Sequence, residues 1–240
     1  MSPTERTRKL PLDPGVVILV GVVALIAYLA YDRGRLRIER SDLIFFAVLI
    51  PSIILHEVSH GWVAKAFGDP TADDAGRLTL NPLRHIDRFG TIILPALLLL
   101  ASAPAFGYAK PVPVNPARMS KNQNMLTSLA GPGVNIVLAV VAGLALRGFG
   151  DVRQEPSLVL ESLFWFGVAN VVLAVFNLIP VPPLDGSAVL ERFLPDRYMS
   201  GYYTFRRYAM IVLIGLMLVY REGLSALFNP ALDLWSKLIV

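Results

Sequence analysis

The chain has 240 residues, 55% hydrophobic and only 17% charged, with a mean hydropathy of +0.57. Soluble domains carry about a quarter charged residues, so the composition excludes an ordinary soluble fold and indicates a polytopic membrane protein. The absence of cysteine excludes disulfides, thiol nucleophiles and thiolate ligands, leaving any metal site to histidine and carboxylates. The net charge of +4 comes from Lys and Arg scattered singly between apolar stretches, which suits membrane-flanking loops and not a nucleic-acid-binding face.

In chain order, Arg6, Arg8 and Lys9 precede an uncharged run over residues 15–31. Its length and the lack of a small-residue cleavage site make it a retained helix, not a signal peptide. Ser41 and Asp42 mark the start of a second helix over residues 43–67, kinked at Pro51. Residues 68–88 carry turn signals at Gly68-Asp69-Pro70 and Asn81-Pro82 and read as an ordered loop or small hairpin. Residues 91–109 are uncharged but broken by Pro95 and Pro104, so the segment either spans or re-enters. The prolines at 111, 113 and 116 then force an extended stretch, which is either a plain linker or an edge on which an extended peptide can add.

Residues 125–146 and 157–179 form two further apolar helices, the second ending where Pro180, Pro182 and Pro183 unwind it ahead of Asp185-Gly186. A last helix is expected from Tyr208, followed by an amphipathic tail over residues 224–240. The fold class is therefore an all-α polytopic membrane protein with about five or six transmembrane helices and a small extended or hairpin region. It forms one integral membrane domain over residues 1–240, with a core at 43–193 and flanking helices at 15–31 and 208–228. If residues 91–106 re-enter, the N-terminus and the two long loops share one side with 14 of the 22 Lys and Arg. The helices leading to His56 and Asp185 then run parallel, and the basic side is cytoplasmic.

Chemistry concentrates in His56-Glu57-Val58-Ser59-His60. Residues four apart share a helix face, so both imidazoles can bind one ion while Glu57 reaches a water there. Buried packing histidines are the plainer reading. Against it, two His and a Glu within one turn of an apolar helix cost several kcal/mol in hydrocarbon, at about 2.5–3.5 per charged group, unless they pair, bind an ion or line a wet cavity. An open catalytic metal site uses three protein ligands. The third can be His85 or a carboxylate, with Asp185 the best placed because it follows a helix break. Asp185 serves equally well as the N-cap of a helix over 186–193, and His85, between Arg84 and Asp87, suits a structural role.

His56-Glu57-x-x-His60, Gly131-Pro132-x-x-Asn135 and Asn177-x-x-Pro180-x-Pro182-x-Leu184-Asp185-Gly186 together resemble the three motifs of the site-2 protease family, the intramembrane zinc metalloproteases. The resemblance covers residues 43–193 and implies peptide-bond hydrolysis inside the bilayer. It also implies one Zn2+ per chain held by His56, His60 and Asp185, with Glu57 the catalytic glutamate. Asn135 and Asn177 would then hold substrate backbone or the oxyanion; both equally suit orphan carbonyls at helix breaks. The substrates implied are single-span membrane proteins already trimmed by another protease. The expected location is a prokaryotic plasma membrane, with the site toward the cytoplasmic side. Ser187 departs from the second glycine of many relatives, and no stretch suits a PDZ or CBS module. The competing readings are a transporter of protons or divalent metal ions and a non-catalytic membrane scaffold.

Overall fold

The computed structural model describes residues 39–93, 109–149, 157–219 and 221–239. The expected helix at 15–31 and most of the 91–106 segment lie outside them. The chain divides into two units, and of the first (1–38 and 86–108) only residues 86–93 are described, ending in a π-helical turn over Arg88–Ile93. The second unit holds everything else described. Every regular element among the described residues is helical.

Helix α1 spans Arg40–Ala66. It starts ahead of the expected residue 43 because the Glu39 N–H donates to Asp42 Oδ2 at 2.9 Å, closing the first turn. It continues through Pro51 without a break. It ends at Gly68, whose φ of +93° only glycine adopts at little cost. There Gly68 N donates to Lys65 O and Asp69 N to Ala64 O at 3.0 and 2.9 Å, the paired bonds of a Schellman cap. The loop beyond is no hairpin: it holds the short helix α2 (Thr71–Asp74) and a 3-10 turn at Pro82–Arg84 capped by the Asn81 side chain. Asp69, fully buried, ties it together by accepting from Thr71 N, Thr71 Oγ1 and Asn115 N.

Helices α3 (Lys121–Phe149) and α4 (Leu158–Asn177, capped by Ser157) pack against α1 and against each other. These three are the described helices long and apolar enough to cross a membrane. Their burial pattern suits packing in lipid, where close approach of small residues replaces the hydrophobic effect. On α3, Gly131, Asn135, Ala139, Ala142, Gly143 and Leu146 face inward, while Val137 and Val141 are 59% and 58% exposed.

Arg40 at the start of α1 pairs with Glu161 at the start of α4, 2.9 Å apart. His56 and His60 meet Asn135 and Thr127 in reverse order. Helices α1 and α4 therefore run parallel, α3 runs opposite to both, and α1 ends on the side where α3 begins. Beyond α4, α5 (Ser187–Phe193) and α6 (Asp196–Val219) follow. Helix α6 starts well before the expected Tyr208, its first turns carrying Asp196 and Arg197. Helix α7 (Arg221–Ser236) returns Trp235 to the core, where its Nε1 donates to Ala139 O at 2.7 Å.

Candidate metal centre

His56 and His60 sit one turn apart on α1, 6% and 9% exposed. Each ring is tied down on the side away from the site. His56 Nδ1 donates to Asn135 Oδ1 at 2.5 Å and His60 Nδ1 to Thr127 O at 2.7 Å, both acceptors on α3. With protons on Nδ1, both Nε2 atoms are left to face the same point. Histidines that bind metals are commonly oriented in this way by an acceptor behind the ring.

Asp185 reaches that point from the segment between α4 and α5. The prolines at 180, 182 and 183 end the α4 ladder, and the chain folds back so that Gly186 N donates to Asn177 O at 2.6 Å. A side chain at 186 would collide with the Leu178 and Ile179 carbonyls, so only glycine fits next to Asp185. The carboxyl of Asp185 does not cap α5, whose N-cap is Gly186 without a side-chain bond. It turns inward, with Oδ2 3.0 Å from His56 Nε2 and 3.4 Å from His60 Nε2. Apart from these two nitrogens, the buried Oδ2 has no hydrogen-bond partner.

The donor atoms of His56, His60 and Asp185 lie within 4.8 Å of one another, the one such group among the described residues. Three observations fit a metal ion here. Asp185 Oδ2 is a buried acceptor left over, two imidazoles and a carboxylate form a zinc-type donor set with a position to spare, and a Cβ at Gly131 would sit 2.5–2.6 Å from the facing ring atoms. The cradle is thus shaped by the lack of a side chain on α3.

Glu57 is held from the opposite partner set. Its Oε2 accepts the Val112 N–H at 2.9 Å. Val112 belongs to the extended segment at residues 109–115, which is anchored on the loop after α1. Lys110 N donates to His85 O, and Arg77 Nη2 donates to Lys110 O, both at 2.8 Å. Burial pushes the Arg77 guanidinium down from its usual range, and the charge of Glu57 works against that push. Residues alternate between the two edges of an extended chain. Lys110 and Val112 spend their N–H groups inward, and Pro111 and Pro113 have none, so the other edge offers acceptors only.

His85 is not in the cluster: its Nε2 donates to Thr79 O at 2.8 Å inside the loop, in keeping with a structural histidine. Asn135 differs from the expectation of a substrate-facing group. It is fully buried behind His56, with Oδ1 on that ring and Nδ2 on Asn170 Oδ1 at 2.7 Å. Asn177 turns its Nδ2 back onto Leu173 O at 3.0 Å, one turn earlier on its own helix. Asn170, Ser52, Arg77 and Val112 were missed from the sequence. Asn170 had a readable signal, a lone amide inside an apolar span; Val112 had none, because it contributes backbone.

The sequence pattern of peptidase family M50 matches residues 151–220, which take in Asp185. YwhC of Bacillus subtilis (strain 168), named as a zinc metalloprotease, is 39% identical over 174 residues, 69% of this chain and 76% of its own. Rip2 of Mycobacterium tuberculosis (strain H37Rv), named likewise, is 30% identical over 220 residues, 89% of this chain and 82% of its own. Rip2 of Mycolicibacterium smegmatis is 28% identical over 96% of this chain and 85% of its own. No solved structure matches.

Proposed function

The chain belongs to peptidase family M50, the intramembrane zinc metalloproteases, and on that premise we propose that His56, His60 and Asp185 hold its Zn2+ while Glu57 is the general base. The protein is a membrane-embedded zinc protease acting on membrane-protein substrates. Transport of protons or metal ions and a non-catalytic scaffold find no support in this membership. The observation that carries the residue assignment is the convergence of three donor atoms within 4.8 Å from two elements far apart in sequence.

Zinc, when bound, supplies Lewis-acid polarisation of the scissile carbonyl and acidifies water toward neutral pH. The chain's own residues do the rest. Glu57 takes the proton of the attacking water and delivers it to the leaving amine. Val112 N–H holds Glu57 Oε2, which leaves Oε1 to carry the proton from the first step to the second, and the loop contacts of Lys110 keep Val112 in reach. Hydrolysis requires an unwound substrate, because a helical peptide bond is shielded by its own hydrogen bonding. An extended substrate lying beside residues 110–114 would donate its N–H groups to the Pro111 and Pro113 carbonyls, since that edge offers acceptors only.

The substrates we propose are single-span membrane proteins, trimmed beforehand so that an end can enter between the helices. The parallel course of α1 and α4 supports the topology in which both ligand-bearing segments point to the side carrying 14 of the 22 Lys and Arg. By the positive-inside rule that side is the cytoplasm of a prokaryotic cell membrane. Cysteine-accessibility labelling tests it: Gly68 and Lys121 should both be reached from the cytoplasm and Arg153 from outside, and Gly68 and Lys121 on opposite sides would refute the topology. For the activity, purified protein is assayed for zinc and for cleavage of a panel of single-span substrates. Glu57→Gln should keep zinc and lose cleavage; cleavage surviving the substitution would sink the mechanism.

A further inference from the structure

Behind His56, a chain of buried amides crosses from α4 through α3 to the ring, and its far end can only accept. Asn170 donates Nδ2 to the carbonyl of Phe166, one turn earlier on α4, at 2.8 Å. The same nitrogen donates to Ser52 Oγ on α1 at 2.9 Å. That hydroxyl has already given its proton to Val48 O, 2.8 Å away. A carbonyl has no proton to give and this hydroxyl has none left, so the Asn170 amide has one permitted orientation, with Oδ1 toward Asn135. Asn135 must then present Nδ2, at 2.7 Å, which leaves its Oδ1 for His56 Nδ1. An acceptor there puts the ring proton on Nδ1 and leaves Nε2 with its lone pair toward Asp185. Ser52, Asn135 and Asn170 are each 0% exposed, so no bulk water can substitute for a misdirected partner.

From this we infer that Asn170 is a positioning residue for the metal centre: through Asn135 it sets the His56 ring so that Nε2 is the metal-binding atom. The inference rests on the assignment of His56 as a zinc ligand. Without an acceptor at 170, the Asn135 amide loses the contact that distinguishes its oxygen from its nitrogen. The reversed amide would present N–H to His56 Nδ1 and drive the ring proton onto Nε2, where the metal must bind. Amides linking membrane helices can also serve only as glue, and the test has to separate the two.

Threonine and valine have the same shape, which makes the pair Asn170→Thr and Asn170→Val informative. The threonine hydroxyl can donate to Phe166 O, as helical threonines do to the carbonyl four residues back, and accept from Asn135. Valine can do neither. The full chain in detergent is titrated with zinc against a chromophoric chelator, with thermal melting as the control for folding. Asn170→Thr should bind zinc within about threefold of the unsubstituted protein and Asn170→Val about tenfold more weakly, the low end of what supporting groups contribute. Equal affinity of Asn170→Val and the unsubstituted protein overturns the inference. So does an equal loss in both variants, which would make shape the cause. Should Asn170→Val not fold, Asn170→Ser and Asn170→Ala repeat the comparison with the same expected order. If the unsubstituted protein binds no zinc, the ligand assignment fails first, and this inference with it.

Discussion

Gly131→Ala adds one methyl group to the interior of α3, a change that intrinsic helix propensity favours by about 1 kcal/mol. The position of that methyl makes it ruinous for the metal centre. It would lie 2.5 Å from His56 Cε1 and His60 Nε2 and 2.6 Å from His56 Nε2, whereas ordinary contact begins at 3.4 Å. Both rings must therefore retreat by about 0.9 Å, and metal-ligand distances tolerate only about 0.2 Å. Rotation offers no escape, because each Nδ1 is tied to α3 itself, through Asn135 and Thr127. The overpacking costs the fold about 1–3 kcal/mol, partly offset by propensity. The expected outcome is a protein that folds and melts nearly as before. Its zinc affinity should fall by at least about a hundredfold, the upper end for a lost supporting residue, since both proposed histidine ligands move together. Chelator competition reads the affinity and thermal melting the fold. Zinc binding and substrate cleavage undiminished in Gly131→Ala would refute the placement of α3 against the two rings.

Three further outcomes follow from other parts of the site. Asp185→Ala should reduce zinc affinity far more than stability, because Oδ2 has no partner besides the two imidazoles; chelator competition showing full affinity would remove it as the third ligand. Arg77→Ala, which frees the Lys110 carbonyl and loosens the segment that holds Glu57, should lower kcat by about tenfold with zinc content unchanged, consistent with about 1.4 kcal/mol of positioning. An equal loss of zinc would refute that route. Asp69 is pushed up by burial, but hydrogen bonds from Asn115 and Thr71 outweigh this and hold its carboxyl below the usual range. A lowered carboxyl stabilises above its unfolded value of about 3.9 and stops doing so as pH falls through the folded value. Protection of residues 109–115 in hydrogen exchange should therefore fall in acid below about pH 4, and Asp69→Asn should show the loss already at neutral pH.

The helices that build the core were legible because uncharged runs of about twenty residues have few other uses. Their ends were less so. The start of α1 is set by the bond between Glu39 and Asp42, and α3 begins at Lys121, ahead of the apolar stretch, because the polar residues before Met125 continue the same ladder. His56, Glu57 and His60 stood out through spacing within one helix. The convergence of Asp185 on them depends on a chain reversal after α4, for which the prolines gave a cause but no direction. Val112 was beyond reading, since its part is a backbone N–H that any residue except proline carries.

The rotation of each helix about its axis was the least legible feature, and the structure explains why. In lipid, large apolar side chains such as Val137 and Val141 face outward while small and polar ones face in, so hydrophobic periodicity carries no signal for the buried face. The polar residues supply that signal instead. Helix α1 contributes Ser52, His56 and His60, α3 contributes Asn135 and the Thr127 carbonyl, and α4 contributes Asn170. Each has to find its partner away from lipid, and only one rotation of the three helices brings all of them together. The groups that orient the two imidazoles proposed as ligands are thus the same groups that select the packing. A substitution that breaks this network should disturb zinc affinity and helix register together, whereas one on the lipid-facing side of α3 should disturb neither.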